Sequence, residues 1–225
     1  MLTQLSNHHS LLTTWYHGAR SRYIAYHVVY HVLMVEGLLF VLVAGMPGSG
    51  KSVVADVARE LGIPVYTMGD IVREETLRRY GVITPELMVE TSRRLRMEFG
   101  EDVVAVRTVE RILSENPSCS VVLIDGIRSL VEVEVFRRTG DTVIVAVHAS
   151  PRTRYERLRA RRRPGDPETY EEFRKRDMVE LGFGLGSVIA LADHVIVNEG
   201  SIEETRSCAR RILEHLVTTH GFSHC

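Results

Sequence analysis

Apolar residues in this chain follow two rhythms that alternate. Short, mostly apolar runs at residues 38–43, 63–66, 121–124, 142–148 and 194–197 fit strands of a buried sheet. Between them, apolar residues recur every three or four positions, as on one face of a helix. That spacing predicts helices over 52–61, 70–79, 85–97, 102–113 and 130–138, then from 151, over 168–181, and from 202. End signals agree with it. Thr84-Pro85 and Ser150-Pro151 read as N-caps followed by proline at the first helical position. Ser201 followed by Glu204 reads as a capping box, and Gly62 and Gly81 as helix stops. Strands alternating with helices predict an α/β fold with a parallel five-stranded sheet covered on both faces.

The first 37 residues break this pattern. They hold His8, His9, His17, His27 and His31 with four tyrosines and almost no acid. Their histidine spacing matches no standard metal site, and they lack the layout of a secretory signal. The apolar stretch 24–43 is interrupted by His27, His31 and Glu36, which argues against a membrane span. Residues 1–37 are read as an extension, with Met34 as an alternative start, and 38–225 as one domain. A net charge of −1 gives no reason to expect nucleic acid or an anionic membrane as partner. Cys119, Cys208 and Cys225 form no C-x-x-C pair, so a reducing compartment, the cytoplasm, is expected.

The chemistry begins directly after the first strand. Gly45-Met46-Pro47-Gly48-Ser49-Gly50-Lys51-Ser52 fits G-x-x-x-x-G-K-[ST] between a strand and a helix, the context of a phosphate-binding P-loop. Glycines let the backbone approach phosphate oxygens, and loop N–H groups with the helix N-terminus form an anion site. Lys51 is then expected on the β- and γ-phosphates of ATP, with the Ser52 hydroxyl on Mg²⁺. Only two lysines occur in the chain, and this is one of them. Asp125 ends an apolar strand at the edge where ligands sit in open α/β sheets, and a carboxylate there can hold Mg²⁺.

Further segments carry a family resemblance. Thr67-Met68-Gly69-Asp70-Ile71-Val72-Arg73 resembles the segment after the second strand of adenylate kinases and other nucleoside monophosphate kinases. There a glycine-aspartate turn opens a helix whose arginine holds the acceptor phosphate. The resemblance assigns Gly69, Asp70 and Arg73 to acceptor binding. Val122 to Arg128 resembles the second acceptor segment and assigns Arg128, although one residue separates Gly126 from Arg128 where adenylate kinases have two. Glu156-Arg157 with Arg161 resembles the start of the lid, which puts Arg157 on the donor base and Arg161 on the phosphates. Arg174-Lys175-Arg176 resembles its end, which puts Arg176 on the transferring group. The lid between Arg163 and Glu168 is very short. Residues 192–198 with Gly200-Ser201 resemble the last strand and helix of dephospho-coenzyme A kinases, a likeness of fold to which no chemistry attaches.

Over residues 39–215 the chain resembles the uncharacterised archaeal P-loop kinases related to adenylate kinase. That resemblance implies an acceptor-binding insert at 67–118, a lid at 157–181, and ATP·Mg²⁺-dependent phosphoryl transfer to a small phosphorylated acceptor such as a nucleoside monophosphate. One alternative is a dephospho-coenzyme A kinase-like enzyme, whose hydroxyl acceptor calls for a base such as Asp70. Another is an ATP-binding switch that works through partners.

Overall fold

The computed structural model of the protein describes residues 35–115 and 119–220. The readings made of residues 1–34, the histidines among them, lie outside that range. Five strands are described: β1 (Leu39–Ala44), β2 (Val65–Thr67), β3 (Val121–Asp125), β4 (Asp141–His148) and β5 (His194–Val197). All pair in parallel, in the order β2-β3-β1-β4-β5.

β1 lies at the centre and is buried along its whole length, which explains its unbroken apolar sequence. Its alternate residues serve two layers. Leu39, Val41 and Val43 join a core formed with α1 (Lys51–Glu60) and the last helix, through Val54, Val57, Ala58, Ala209, Leu213 and Leu216. Phe40 points to the other layer and meets the Phe136 ring edge-on at 5.2 Å.

Between β2 and β3 lie α2 (Met68–Tyr80), α3 (Pro85–Phe99) and α4 (Val103–Glu115), which fill the expected 67–118 insert as far as residue 115. Glu75 of α2 ties these helices together. It is 7% exposed, accepts from Arg78 and Arg79, and lies 3.7 Å from Arg107 of α4. After β3 come α5 (Leu130–Thr139), β4, α6 (Pro151–Arg161), α7 (Tyr170–Gly182) and α8 (Leu185–Ala190). β5 and α9 (Ile202–Thr219) complete the described chain.

Most element ends fall within two residues of expectation. Two differences have physical causes. Gly69 and Asp70 lie inside the first turn of α2 and not in a turn before it, because Thr67 supplies the extended N-cap backbone and Asp70 favours a helix start electrostatically. α8 was not anticipated, because a six-residue helix behind Gly182 and Gly184 shows too little periodicity to be seen. Cys208 is free. Among the described residues no helix is long and apolar enough to cross a membrane.

Candidate functional site

The loop between β1 and α1 is shaped by what surrounds it. Gly48 (φ 83°) and Gly50 (φ 99°) take the left-handed conformation that side chains resist. Space forbids a side chain as well. A Cβ on Gly48 would lie 2.8 Å from the Arg154 carbonyl oxygen, and one on Gly50 would collide with the Asn198 amide. Gly50 caps α1 without a side-chain bond, so the backbone at this helix start faces the loop unobstructed. Lys51 bends back, and its Nζ donates to the Gly45 carbonyl at 2.6 Å.

Two buried side chains that sequence reasoning missed hold the loop from outside. Arg154, on the inner face of α6, is 3% exposed. It donates to the carbonyls of Ala149 (3.1 Å) and Pro47 (3.2 Å) and makes a bidentate pair with Asp177 of α7 at 2.6–2.7 Å. Its guanidinium also sits 4.9 Å from the Phe173 ring. Asn198, just past β5, donates to the Ser49 carbonyl at 2.8 Å and accepts from Thr205 and from Arg157 Nη2. Its segment had been assigned no chemistry. The four-residue spacing of Arg154 from the buried Leu158 was an available signal for Arg154. For Asn198 no local pattern exists, since its role arises where β5 and the loop meet.

A cavity of about 180 Å³ opens beside this loop, lined by Gly45, Gly48, Lys51, Arg128, Arg161 and Arg176, among others. Three arginines from distant segments thus meet the P-loop lysine. Each is already engaged by a carboxylate. Arg161 makes a bidentate pair with Asp166, at 2.9 Å from Nε and 2.6 Å from Nη2. Arg176 donates to the Gly165 carbonyl at 3.1 Å and lies 3.5 Å from the same Asp166 oxygen. Arg128 Nε lies 3.3 Å from Glu180. Asp166 closes the short lid by joining its two ends, and the Arg161 bond holds its carboxyl below the usual range.

The remaining candidates are distributed differently. Asp125 pairs in register with Val43, immediately before the loop, and its Oδ1 is sealed from solvent without a hydrogen-bond partner. Burial raises its carboxyl above the ordinary 3.8, opposed by Lys51. Burial likewise lowers Lys51 from 10.5, opposed by Asp125 and Glu180. Ser52 is exposed on the first turn of α1. Arg157 reaches Asn198 and not the cavity, and its Nη1 is buried with no partner. Arg73 and Asp70 pair with each other at 3.5 Å, both about half exposed, and neither lines the cavity. Met46, Pro47 and Ser49 complete the loop, and Ser49 Oγ is buried and unpartnered. A Cβ on Gly69 would meet only the Thr67 side chain, at an ordinary 3.7 Å. Among the described residues no group of three or more histidine, cysteine or acidic side chains could hold a metal.

Comparisons with known proteins agree with this architecture. The AAA domain family profile matches residues 44–174, from the end of β1 into α7. A UPF0200 protein of Staphylothermus marinus is 62% identical over 180 residues, covering 80% of this chain and 94% of that protein. A UPF0200 protein of Thermococcus kodakarensis is 45% identical over 183 residues, covering 80% and 99%. Among solved structures, the TT1252 protein of Thermus thermophilus superposes with a TM-score of 0.56 at 21% identity, covering 80% of this chain and 98% of that one. Shikimate kinase of Bacteroides thetaiotaomicron gives 0.53 at 16% identity over the same shares. At such identities these two speak to the fold alone. The chain carries an AAA domain and belongs to the archaeal UPF0200 family.

Proposed function

We propose that this protein transfers the γ-phosphoryl group of ATP to a small phosphorylated acceptor, with nucleoside monophosphates as the acceptor class. The observation that carries the reading is the convergence of Lys51, Arg128, Arg161 and Arg176 on one cavity beside the P-loop. Phosphoryl transfer needs little covalent chemistry from a protein. It needs in-line positioning and cations around the equatorial oxygens as charge redistributes. Arg161 and Arg176, already aligned by Asp166, serve the transferring group, and Lys51 serves the β- and γ-phosphates. Arg157 serves the donor base, next to Asn198.

The site also fits Mg²⁺. A sealed carboxylate oxygen without a donor suits a hard cation or its water, and Asp125 provides one. Ser52 and Asp125 would hold the ion, which neutralises charge on the β- and γ-oxygens.

One observation favours a second acceptor type. Arg73 pairs with Asp70 outside the cavity and is not turned toward it. An acceptor hydroxyl would need a base in place of that arginine, and Asp70 lies close enough to Asp125 to perturb it. The test is a screen with γ-labelled ATP and Mg²⁺ against nucleoside monophosphates and against hydroxyl acceptors such as dephospho-coenzyme A. Label should move to a monophosphate and not in the Lys51→Ala variant. Label moving only to a hydroxyl acceptor would replace the first reading with the second. Label reaching only water would replace both with an ATP-driven switch.

A further inference from the structure

Glu180 is the acidic residue that lines the cavity with the four cations. It stands one helical turn after Arg176 on α7, so both side chains share a face. Its side chain is 11% exposed, and its Oε2 lies 3.3 Å from Arg128 Nε. Arg128 is fixed on its other sides. Its backbone N–H donates to Glu132 at 2.8 Å, and its guanidinium lies 5.9 Å from the Phe183 ring. Glu132 in turn pairs with Arg96 of α3 at 2.9 Å, and Arg96 stacks on the same ring at 5.5 Å. Arg128 is therefore anchored at its backbone and free to turn only at its tip, where Glu180 holds it.

A carboxylate in a polyanion site is unfavourable for binding, since it repels the ligand and ties up a cation. It also imposes a threshold. A phosphate dianion making a bidentate contact with guanidinium can displace it, whereas a singly charged anion or water competes poorly. We propose that Glu180 is a positioning residue that occupies Arg128 in place of the acceptor phosphate and yields it only to a phosphate dianion. The proposal rests on the phosphoryl-transfer reading for the identity of the acceptor. Its phosphate-binding part stands apart from that reading.

The test titrates inorganic phosphate into the full-length protein at fixed ionic strength, following heat of binding. Glu180→Gln keeps shape and removes charge, so it should bind phosphate about tenfold more tightly than wild type. In an Arg128→Ala background the same change should bring a clearly smaller gain, the part due to repulsion alone. Glu180→Asp, which keeps the charge but shortens its reach, should fall between, and thermal melts establish that each variant is folded. Unchanged or weaker phosphate binding by folded Glu180→Gln would overturn the proposal, as would a gain equally large without Arg128. Tighter phosphate binding together with failure of every acceptor to turn over would keep the Glu180 role and remove the phosphoryl-transfer reading. Turnover with unaltered phosphate affinity would do the reverse.

Discussion

Lys51 and Asp125 are each charged against the preference of their surroundings. Burial pulls the lysine down from 10.5 and pushes the aspartate up from 3.8, and each partly relieves the other. The signs follow from proton counting. Between 3.8 and its raised folded value, Asp125 holds more proton folded than unfolded, so its contribution to stability falls as pH rises through that window. Lys51 holds less proton folded than unfolded up to 10.5, so its contribution rises with pH toward that value. At neutral pH both groups therefore subtract from stability. Replacing the pair together, Lys51→Met with Asp125→Asn, should leave the protein as stable as wild type or up to about 1–4 kcal/mol more so, whereas either change alone should leave an uncompensated buried group and lower stability. Denaturant melts at pH 7 check this, and an equally stabilising single change would refute it. Lys51 was legible in sequence because phosphate chemistry fixes residue types at fixed spacing, and Asp125 because it ends an apolar strand. Asn198 and Glu180 were not, because each is defined by a partner more than 20 residues away, and Arg154 was marked only by its spacing from Leu158.

On the proposed function, the element that matters most for turnover is the segment between α6 and α7, expected to be a lid. It is a clasp: Asp166 binds Arg161 from one end and Arg176 from the other, while Arg154 and Asp177 lock the two helices beneath it. The Tyr155, Tyr170 and Phe173 rings, with centroids 5.3–5.6 Å apart, pack between the same helices. An arginine that leaves Asp166 for the transferring group as charge redistributes makes an interaction stronger in the transition state than in the ground state, and only such an interaction raises the rate. Removing Arg161 should lower kcat about 10²–10³-fold with a smaller change in KM, while Arg157→Ala should chiefly raise KM for ATP. Steady-state kinetics on an identified acceptor separates the two, and a near-normal kcat for Arg161→Ala would reduce the clasp to a solvated surface. At this scale the sequence was informative wherever capping chemistry marks an end. Ser201 and Glu204 form the expected capping box, and β5 falls on its expected residues. Thr169 and Glu172 form a second box, at a helix that starts two residues later than its periodicity predicts.

In the whole molecule, strand order decides what meets. β1 lies between β3 and β4, both later in sequence, so the P-loop, Asp125 and the chain leading to α6 emerge at neighbouring carboxyl ends of the sheet. This is where open α/β sheets bind ligands. Alternation of strands and helices predicted a parallel sheet but not this order, since neighbouring buried strands carry no mark of their partners in apolar composition. The lid also reaches the insert: Gly165 lies against Pro85, so a Cβ there would come within 3.2 Å of it. The most direct measurement is a crystal structure with two nucleosides linked through a polyphosphate chain, in the presence of Mg²⁺. The account predicts that the chain runs from the P-loop past Lys51, with Arg161 and Arg176 released from Asp166, and Arg128 from Glu180, onto phosphate oxygens. A chain bound at the P-loop that leaves all three arginines on their carboxylates would contradict it.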